Sequence, residues 1–266
     1  MILTALGFTG LLAAAFERIP RLRFASLSFF RPFFATDVLY LLTGWIGLGS
    51  VGTALVFGSS AWIGSFGVPR LSEFELPLWV SIPVALAAID LGNYTAHWLL
   101  HRFDPLWELH KIHHSSRRLD WLATFRSHIL EQILRRGVAP LGLILLGVPM
   151  PAVAAAVVIF NAWAIFNHSN LAPDLAFLEP LFITPRLHRL HHAPATTHRN
   201  LGTVFSVWDR LRGTLVVAEL PPETLFGVPG EADRYPQGFG RQLVEPPRRI
   251  FAAARVQPIA EGPARS

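Results

Sequence analysis

The sequence predicts an all-α integral membrane protein, a helical bundle of about four transmembrane segments with a cytoplasmic helical cap rich in histidine. Hydrophobic residues make up 52% of the 266-residue chain and charged residues only 15%, whereas a soluble domain carries about 25% charged residues. The mean hydropathy is +0.40. Eight of the 11 histidines fall in three short clusters beside the apolar runs.

Three apolar stretches in the N-terminal part of the chain are candidate membrane helices. Residues 2–16 are short for a crossing, which needs about 20 residues, and they predict a tilted or interfacial helix. Residues 38–57, with an apolar continuation over 61–66, are long enough to span. Residues 78–100 form the third candidate, interrupted at Pro83.

The next apolar run, over 138–166, is too long for one simple span. Pro149 and Pro151 lie near its middle, and proline removes a helical hydrogen bond and ends or kinks a helix. The sequence therefore predicts a proline-broken hairpin of two shorter helices, which returns to the side where it entered.

The basic residues predict which side of the membrane holds the histidine clusters. They are concentrated after the first and third apolar stretches and not between the second and third, and cytoplasmic loops are the ones enriched in Lys and Arg. All clusters are then cytoplasmic, in a multi-pass protein. The Arg-, Ala- and Pro-rich composition favours a bacterial inner membrane over the endoplasmic reticulum.

Composition also excludes several functions. The chain has no cysteine, which excludes disulfides, iron–sulfur clusters and thiolate-bound haem. The net charge of +5 fits membrane orientation and anionic headgroups, and no basic stretch interleaves with aromatics as in a nucleic-acid-binding strip. We divide the chain into membrane helices (1–76), a histidine-bearing region (77–218) and a C-terminal extension (219–266), which we expect to be partly disordered from Pro246 onward.

The histidine clusters predict a metal site. Their patterns are HxxxH, HxxHH and HxxHH, and residues three or four apart share one face of a helix. Imidazole is a common ligand of iron, copper, nickel and zinc. Eight imidazoles exceed the three or four that hold one zinc ion, which predicts two metal ions in one site. The clustered residues are His97, His101, His110, His113, His114, His188, His191 and His192.

Other polar residues are candidates for the same site. His168 follows the predicted hairpin, where the chain returns to the face that holds the clusters. Asp90 lies inside an apolar span, and we expect it to accept the free N–H of a ligating histidine. Candidates for an additional ligand or a supporting hydrogen bond are His128, His198, Tyr94, Asn161 and Asn167.

The order of these motifs resembles the fatty acid hydroxylase superfamily, also called the sterol desaturase family. The resemblance covers residues 78–214 and depends on five stretches: HWLLH from His97, HKIHH from His110, NHSN from Asn167, TPRLHRLHH from Thr184 and WDRLRGT from Trp208. Arg212 stands where a phenylalanine is common, and Leu201 where an aromatic residue is more usual. Neither departure removes a histidine.

The resemblance implies a membrane oxidoreductase with a histidine-bound di-iron centre, which uses O2 and external electrons to hydroxylate or desaturate a lipid such as a sterol or a fatty acyl chain. It implies that the eight clustered histidines and His168 are the ligands of two iron ions. The sequence contains no cytochrome b5 domain and no dinucleotide-binding glycine motif. The expected electron donor is therefore a separate protein, cytochrome b5-like, a ferredoxin or a reductase.

Two other functions stay open at the level of the sequence. A membrane zinc hydrolase would use histidine-bound water and a nearby carboxylate base such as Glu131, and it would act without O2. A metal transporter or storage protein would place polar ligands along a crossing path, whereas the predicted clusters lie at one edge of the membrane.

Overall fold

The computed structural model of the chain describes residues 2–47, 58, 62, 66, 71–74, 76–139 and 141–256. This part of the chain forms helices and isolated bridges but no β-strand, so the predicted all-α class is confirmed for it. Its α-helices, in chain order, are α1 (Ile2–Phe16), α2 (Phe34–Tyr40), α3 (Leu78–Arg102), α4 (Asp104–His114), α5 (Ile129–Val138), α6 (Leu141–Leu146), α7 (Met150–His168), α8 (Pro185–His192), α9 (Val207–Arg212) and α10 (Phe239–Val256).

One helix among the described residues, α7, is long and apolar enough to cross a membrane. Helix α1 has only 15 residues, and α3, although it has 25, carries polar side chains such as Asn93 and His97 in its second half. The second predicted segment begins in α2 and its π-helical continuation (Leu41–Gly47), while residues 48–57 lie outside the described part. The bundle of about four spans stays a prediction.

Prolines divide the apolar run over 138–166 as the sequence predicts. Helix α6 ends before Pro149 and α7 begins directly after it, because Pro149 takes an extended ψ of 135°. The two halves are unequal, since α6 has six residues and α7 has 19. The expected interruption at Pro83 is wrong. Pro83 lies within two turns of the start of α3, where the loss of one hydrogen bond leaves the rest of the helix intact.

Small side chains let α3, α6 and α7 pack closely. Ala85 on α3 and Ala152 and Ala156 on α7 are fully buried in one apolar cluster, together with Leu143 on α6. At Gly92 a Cβ atom would lie 2.4 Å from the carbonyl oxygen of Ala139, so the backbones approach within a distance that only glycine permits. This packing brings the C-terminal ends of α3 and α7, which carry histidines, to the same side of the molecule.

The cap helices start at sequence signals that fix their direction. Helix α4 has Pro105 in its first turn, where a missing N–H costs no helical hydrogen bond. Helix α8 starts with Pro185, and the side chain of Thr184 accepts a hydrogen bond from the Leu187 N–H. Helix α4 packs against α3, and α8 packs against α7.

The C-terminal extension has no regular structure over residues 219–238 and then forms α10, which reaches the last described residue. The disorder expected from Pro246 onward is wrong for residues 246–256, which belong to α10, and residues 257–266 lie outside the described part. Side chains fasten α10 to the rest of the molecule in spite of its two prolines. Gln242 is buried and donates to Ser115 Oγ at 2.9 Å, and Arg249 pairs with Glu231, which lies before α10 in the chain.

Candidate metal centre

The nine histidines that the sequence singles out as ligands come together as two adjoining groups of buried imidazoles. Within each group, one ring nitrogen of every member lies within 4.8 Å of those of the others. The five-histidine group consists of His97, His101, His110, His114 and His191. The four-histidine group consists of His113, His168, His188 and His192.

Each HxxHH motif contributes to both groups. In α4, His110 and His114 belong to the five-histidine group and His113 to the four-histidine group. In α8, His188 and His192 belong to the four-histidine group and His191 to the five-histidine group. Helical geometry explains this, because residues four apart are turned by only about 40° from each other around the helix, while adjacent residues are turned by about 100°. The groups therefore touch, and the stacked rings of His114 and His192 lie 4.6 Å apart between centroids.

The Nε2 atoms within each group have the spacing of neighbouring metal ligands. Nε2 of His97 lies 3.0 Å from that of His110, and Nε2 of His168 lies 3.0 Å from those of His113 and His188. Two nitrogen ligands about 2.1 Å from one ion and at right angles to each other are about 3.0 Å apart. The spacing fits an ion in each group.

The outer ring nitrogens of several histidines are bound to backbone carbonyls. A carbonyl only accepts, so each Nδ1 carries the proton, and Nε2 presents its lone pair to the centre of the group. The pairs are His97 with Leu201 at 2.7 Å, His113 with Arg126 at 3.1 Å, His168 with Ala164 at 2.8 Å and His191 with Arg199 at 2.9 Å.

Several buried ring nitrogens have no hydrogen-bond partner. Nε2 of His191 and both nitrogens of His114 are of this kind. A buried polar atom without a partner costs free energy, on the order of 1–3 kcal/mol, and a metal ion at each group would supply the missing partner. The donor set, nine imidazoles without a thiolate, suits borderline transition metals such as iron and zinc.

Burial keeps the cap imidazoles neutral, which is the form that binds metal. Removal from water lowers the pKa of His113, His114, His188, His191 and His192 well below the ordinary value of 6.5, and the neighbouring imidazoles lower it further. The metal-free centre is therefore uncharged at neutral pH.

A buried carboxylate, Glu131 in the first turn of α5, supports one ligand. Its Oε1 lies 2.9 Å from Nδ1 of His110 and 3.3 Å from Nε of Arg135. Burial raises the pKa of Glu131, but His110 and Arg135 outweigh it and the pKa is lowered, so the carboxylate is ionised. Sequence reasoning considered Glu131 only as a hydrolytic base, because its contact with α4 is a tertiary one without a local signal.

Asp90 does not have the role that the sequence predicts for it. Its two carboxylate oxygens accept hydrogen bonds from the N–H groups of Val204 and Phe205, at 2.9 Å each, and from Trp208 Nε1 at 2.8 Å. These groups occupy the carboxylate, so no N–H of a histidine reaches it. Asp90 instead fastens the segment before α9 to the side of α3.

The WDRLRGT motif reaches the five-histidine group through one backbone segment. The Asp209 carboxylate accepts from the N–H groups of Leu201 at 2.9 Å and Gly202 at 2.7 Å, and from Thr214 Oγ1 at 2.6 Å. The Leu201 carbonyl in turn holds Nδ1 of His97. Asp209 thus positions a histidine without touching it.

His128 and His198, the two weaker histidine candidates, lie outside both groups. Nδ1 of His128 accepts from the Leu130 N–H at 3.1 Å and so caps α5, and its Nε2 lies 3.1 Å from the Leu243 carbonyl. His198 is exposed, and its Nδ1 lies 3.2 Å from Nδ1 of His101. His198 therefore contacts the outer side of one member of the five-histidine group.

The remaining candidates on α3 and α7 also belong to neither group. Asn161 donates to the Val157 carbonyl at 2.7 Å, one turn earlier on its own helix. Asn167 donates to the Thr203 carbonyl at 2.7 Å and so ties α7 to the segment before α9. Tyr94 is buried on α3.

Comparisons with known proteins agree with this arrangement. A model of the fatty acid hydroxylase family matches residues 82–214, half of the chain. The chain is 31% identical to ornithine lipid hydroxylase OlsE of Rhizobium tropici over 174 residues, which are 65% of this chain and 52% of that protein.

The chain is also similar to alkylglycerol monooxygenases. It is 31% identical to that of Danio rerio over 135 residues (49% of this chain, 29% of that protein) and 30% identical to that of Homo sapiens over 151 residues (53% and 32%). The matched region thus spans about half the length of the ornithine lipid hydroxylase and about a third of the monooxygenases. No solved structure matches the chain. Because the family match contains all nine grouped histidines and half of the sequence, the chain belongs to the fatty acid hydroxylase family.

Proposed function

We propose that this protein is a membrane-bound, O2-dependent lipid hydroxylase whose nine grouped histidines hold two iron ions. The observation that carries the proposal is the pair of adjoining groups, in which buried, neutral imidazoles face each other at ligand spacing. Membership in the fatty acid hydroxylase family supports a lipid substrate. Neutral imidazole donors suit iron as well as zinc, and of these two metals only iron changes its oxidation state.

The names of the similar proteins favour hydroxylation over desaturation. One is a hydroxylase of ornithine lipid and the others are monooxygenases of alkylglycerol. We infer that the substrate here is a lipid with an alkyl or acyl chain on a polar head, and that the reaction is RH + O2 + 2 e− + 2 H+ → ROH + H2O. The two electrons come from a separate donor protein.

The side chains of the protein perform the supporting steps of this reaction. The iron ions, when bound, supply the activation of O2. Backbone carbonyls and Glu131 fix the ring orientation and the proton position of the histidines. Burial of all nine rings keeps bulk water from the reacting C–H bond. The apolar α7 lies next to the four-histidine group and offers a surface for the lipid chain.

The two alternatives find less support in the geometry. A zinc hydrolase needs a carboxylate base beside the metal-bound water, yet Glu131 contacts Nδ1 of His110, the ring nitrogen that faces away from the other histidines of the group. A transporter needs ligands along a crossing path, whereas the two groups touch each other and are buried together.

The proposal is tested on the protein purified in lipid nanodiscs and in cells with and without the gene. We expect about two iron ions per chain, lipid-dependent O2 uptake and a hydroxylated lipid in mass spectra of cells that carry the gene. His113→Ala should abolish the new lipid. His128→Asn, which keeps a helix-capping acceptor outside both groups, should retain it. Zinc as the sole metal with anaerobic turnover, or an unchanged lipid profile in His113→Ala, would refute the proposal.

A further inference from the structure

The five-histidine group comes close to solvent at one edge, next to His198. This exposed residue lies with its Nδ1 3.2 Å from Nδ1 of His101. The half-buried ring of Trp107 packs against both, with centroids 5.0 Å from His101 and 5.4 Å from His198. A short path of aromatic rings therefore joins the protein surface to a member of the group.

Exposed arginines surround this edge. Arg102 and Arg199 directly follow His101 and His198 in the sequence. The guanidinium of Arg212 lies 4.1 Å from the ring centroid of Trp98. Trp98 is one helical turn before Arg102 on α3. None of the three arginines forms a salt bridge within the described part of the chain.

An exposed acid, Asp104, follows two residues after Arg102. Because none of the three guanidinium groups is in a salt bridge among the described residues, they leave a positive patch beside His198. We call the surface formed by His198, Arg102, Arg199 and Arg212 the arginine face.

We propose that the arginine face docks an acidic protein that carries one electron at a time, and that the electron enters the five-histidine group past His198. The inference rests on the proposed function, because hydroxylation consumes two electrons that no side chain of the protein supplies. In each encounter the donor is oxidised by one electron and the metal centre is reduced by one. Two encounters supply one turnover.

Charge and distance both favour this face. Complementary charge steers a partner and raises its association rate, and electron-transfer encounters need only a small interface. Electron tunnelling also falls off steeply with distance, and contact between His198 and His101 makes this edge a direct route. In the four-histidine group, by contrast, the Nδ1 atoms of His113 and His168 face backbone carbonyls inside the molecule.

Binding measurements test the docking part of the proposal. The full chain, in nanodiscs of neutral phosphatidylcholine and free of metal, is exposed to two acidic probes, the soluble domain of cytochrome b5 and a [2Fe–2S] ferredoxin. We expect at least one probe to bind, and to bind about tenfold more weakly when salt rises through the range in which surface charges become screened. The charge-reversal variant Arg102→Glu, Arg199→Glu, Arg212→Glu should slow association about tenfold or more.

A matched control carries the same change in net charge elsewhere. Arg21→Glu, Arg234→Glu, Arg241→Glu alters three exposed arginines on other segments, none of which forms a salt bridge among the described residues, and it should change the association rate by less than about twofold. If the triple variant does not fold, the single variants Arg102→Gln and Arg212→Gln should each give a smaller loss in the same direction. Absence of binding by both probes, or an equal loss in the control, overturns the proposal.

A second measurement tests the electron route and separates this proposal from the function on which it rests. His198→Ala should slow reduction of the iron-loaded protein by the probe about tenfold when the probe is at a saturating concentration, and reduction by dithionite serves as the reference for an intact metal centre. Equal rates in His198→Ala and the unaltered protein would overturn the route. If the dithionite-reduced protein forms no hydroxylated lipid, the proposed function fails while the binding result still stands.

A lipid partner is the competing use of the arginine face. If the charge-reversal variant loses binding to vesicles that contain phosphatidylglycerol and keeps its binding to the probes, the face belongs to lipid headgroups and the docking proposal is wrong.

Discussion

At the residue scale, the histidines of each HxxHH motif belong to two groups, and partners from other parts of the chain hold their rings. Helical spacing places the histidines of each motif on one side of a helix, so their convergence follows from the pattern. The division into two groups depends on how α4 and α8 face each other. The supporting partners, Glu131 and the Leu201 carbonyl, come from distant parts of the chain, and their contacts with the histidines have no local sequence signal.

Glu131 gives a test of how much a supporting partner matters. Glu131→Ala removes the acceptor for Nδ1 of His110, so the ring loses its fixed orientation and the metal affinity should fall by about 10- to 100-fold. Metal content after equilibration with a graded series of chelator concentrations measures this fall.

Two further variants make the result specific. Glu131→Gln keeps one acceptor oxygen and should lose less affinity, and the exposed Glu223→Gln should lose none. Equal metal retention in Glu131→Ala and the unaltered protein would show that the carboxylate does not support His110.

At the scale of helices, prolines predict where the chain turns only when their position in the helix is taken into account. Pro149 ends a helix because it stands between two apolar runs, whereas Pro83 is tolerated near the start of α3. Helix α10 shows that contacts with distant residues can order a segment whose composition predicts disorder. Its prolines and arginines suggest a loose tail, and contacts from Gln242 and Arg249 to distant residues hold it in place.

The close approach of α3 to Ala139 gives a prediction about packing. In Gly92→Ala the new Cβ would lie 2.4 Å from the Ala139 carbonyl oxygen, so the backbone must shift and the free energy of unfolding should fall by about 1–3 kcal/mol. Thermal unfolding in detergent micelles measures the loss.

The control for this change is Gly137→Ala in α5, where a Cβ would meet nothing within 4 Å. Alanine stabilises an exposed helical position relative to glycine, so the melting temperature should stay the same or rise. A melting temperature of Gly92→Ala at or above that of Gly137→Ala would contradict the packing argument.

At the scale of the whole molecule, a large uncharged polar centre is buried in a mostly apolar protein. Sequence composition predicts the membrane character of the chain, and α7 supports it. The number of crossings and the side of the membrane depend on segments such as 48–57, and both stay predictions. The effect of acid on the stability of the protein, by contrast, follows from the burial of the imidazoles.

Acid should destabilise the metal-free protein. Burial holds the pKa of cap histidines such as His114 and His192 well below 6.5, so below pH 6.5 the unfolded chain binds more protons than the folded one. The free energy of unfolding then falls as the pH falls, by about 1.4 kcal/mol per pH unit for each such histidine. Melting temperatures of the metal-free protein between pH 8 and pH 5 check this.

The metal-loaded protein serves as the comparison. A bound ion competes with protons for the same lone pairs, so its melting temperature should begin to fall at a lower pH than that of the metal-free protein. A melting temperature of the metal-free protein that stays flat down to pH 5 would mean that the imidazoles are accessible to water in the folded state.

The sharing of each HxxHH motif between both groups has a consequence for the order of events on the ribosome. When α4 has been synthesised, four members of the five-histidine group already exist, but only His113 of the other group does. The last members of both, His191 and His192, leave the ribosome together. We expect a nascent chain to capture its first ion near α3 and α4, and the second ion to enter only after α8 has closed over the first.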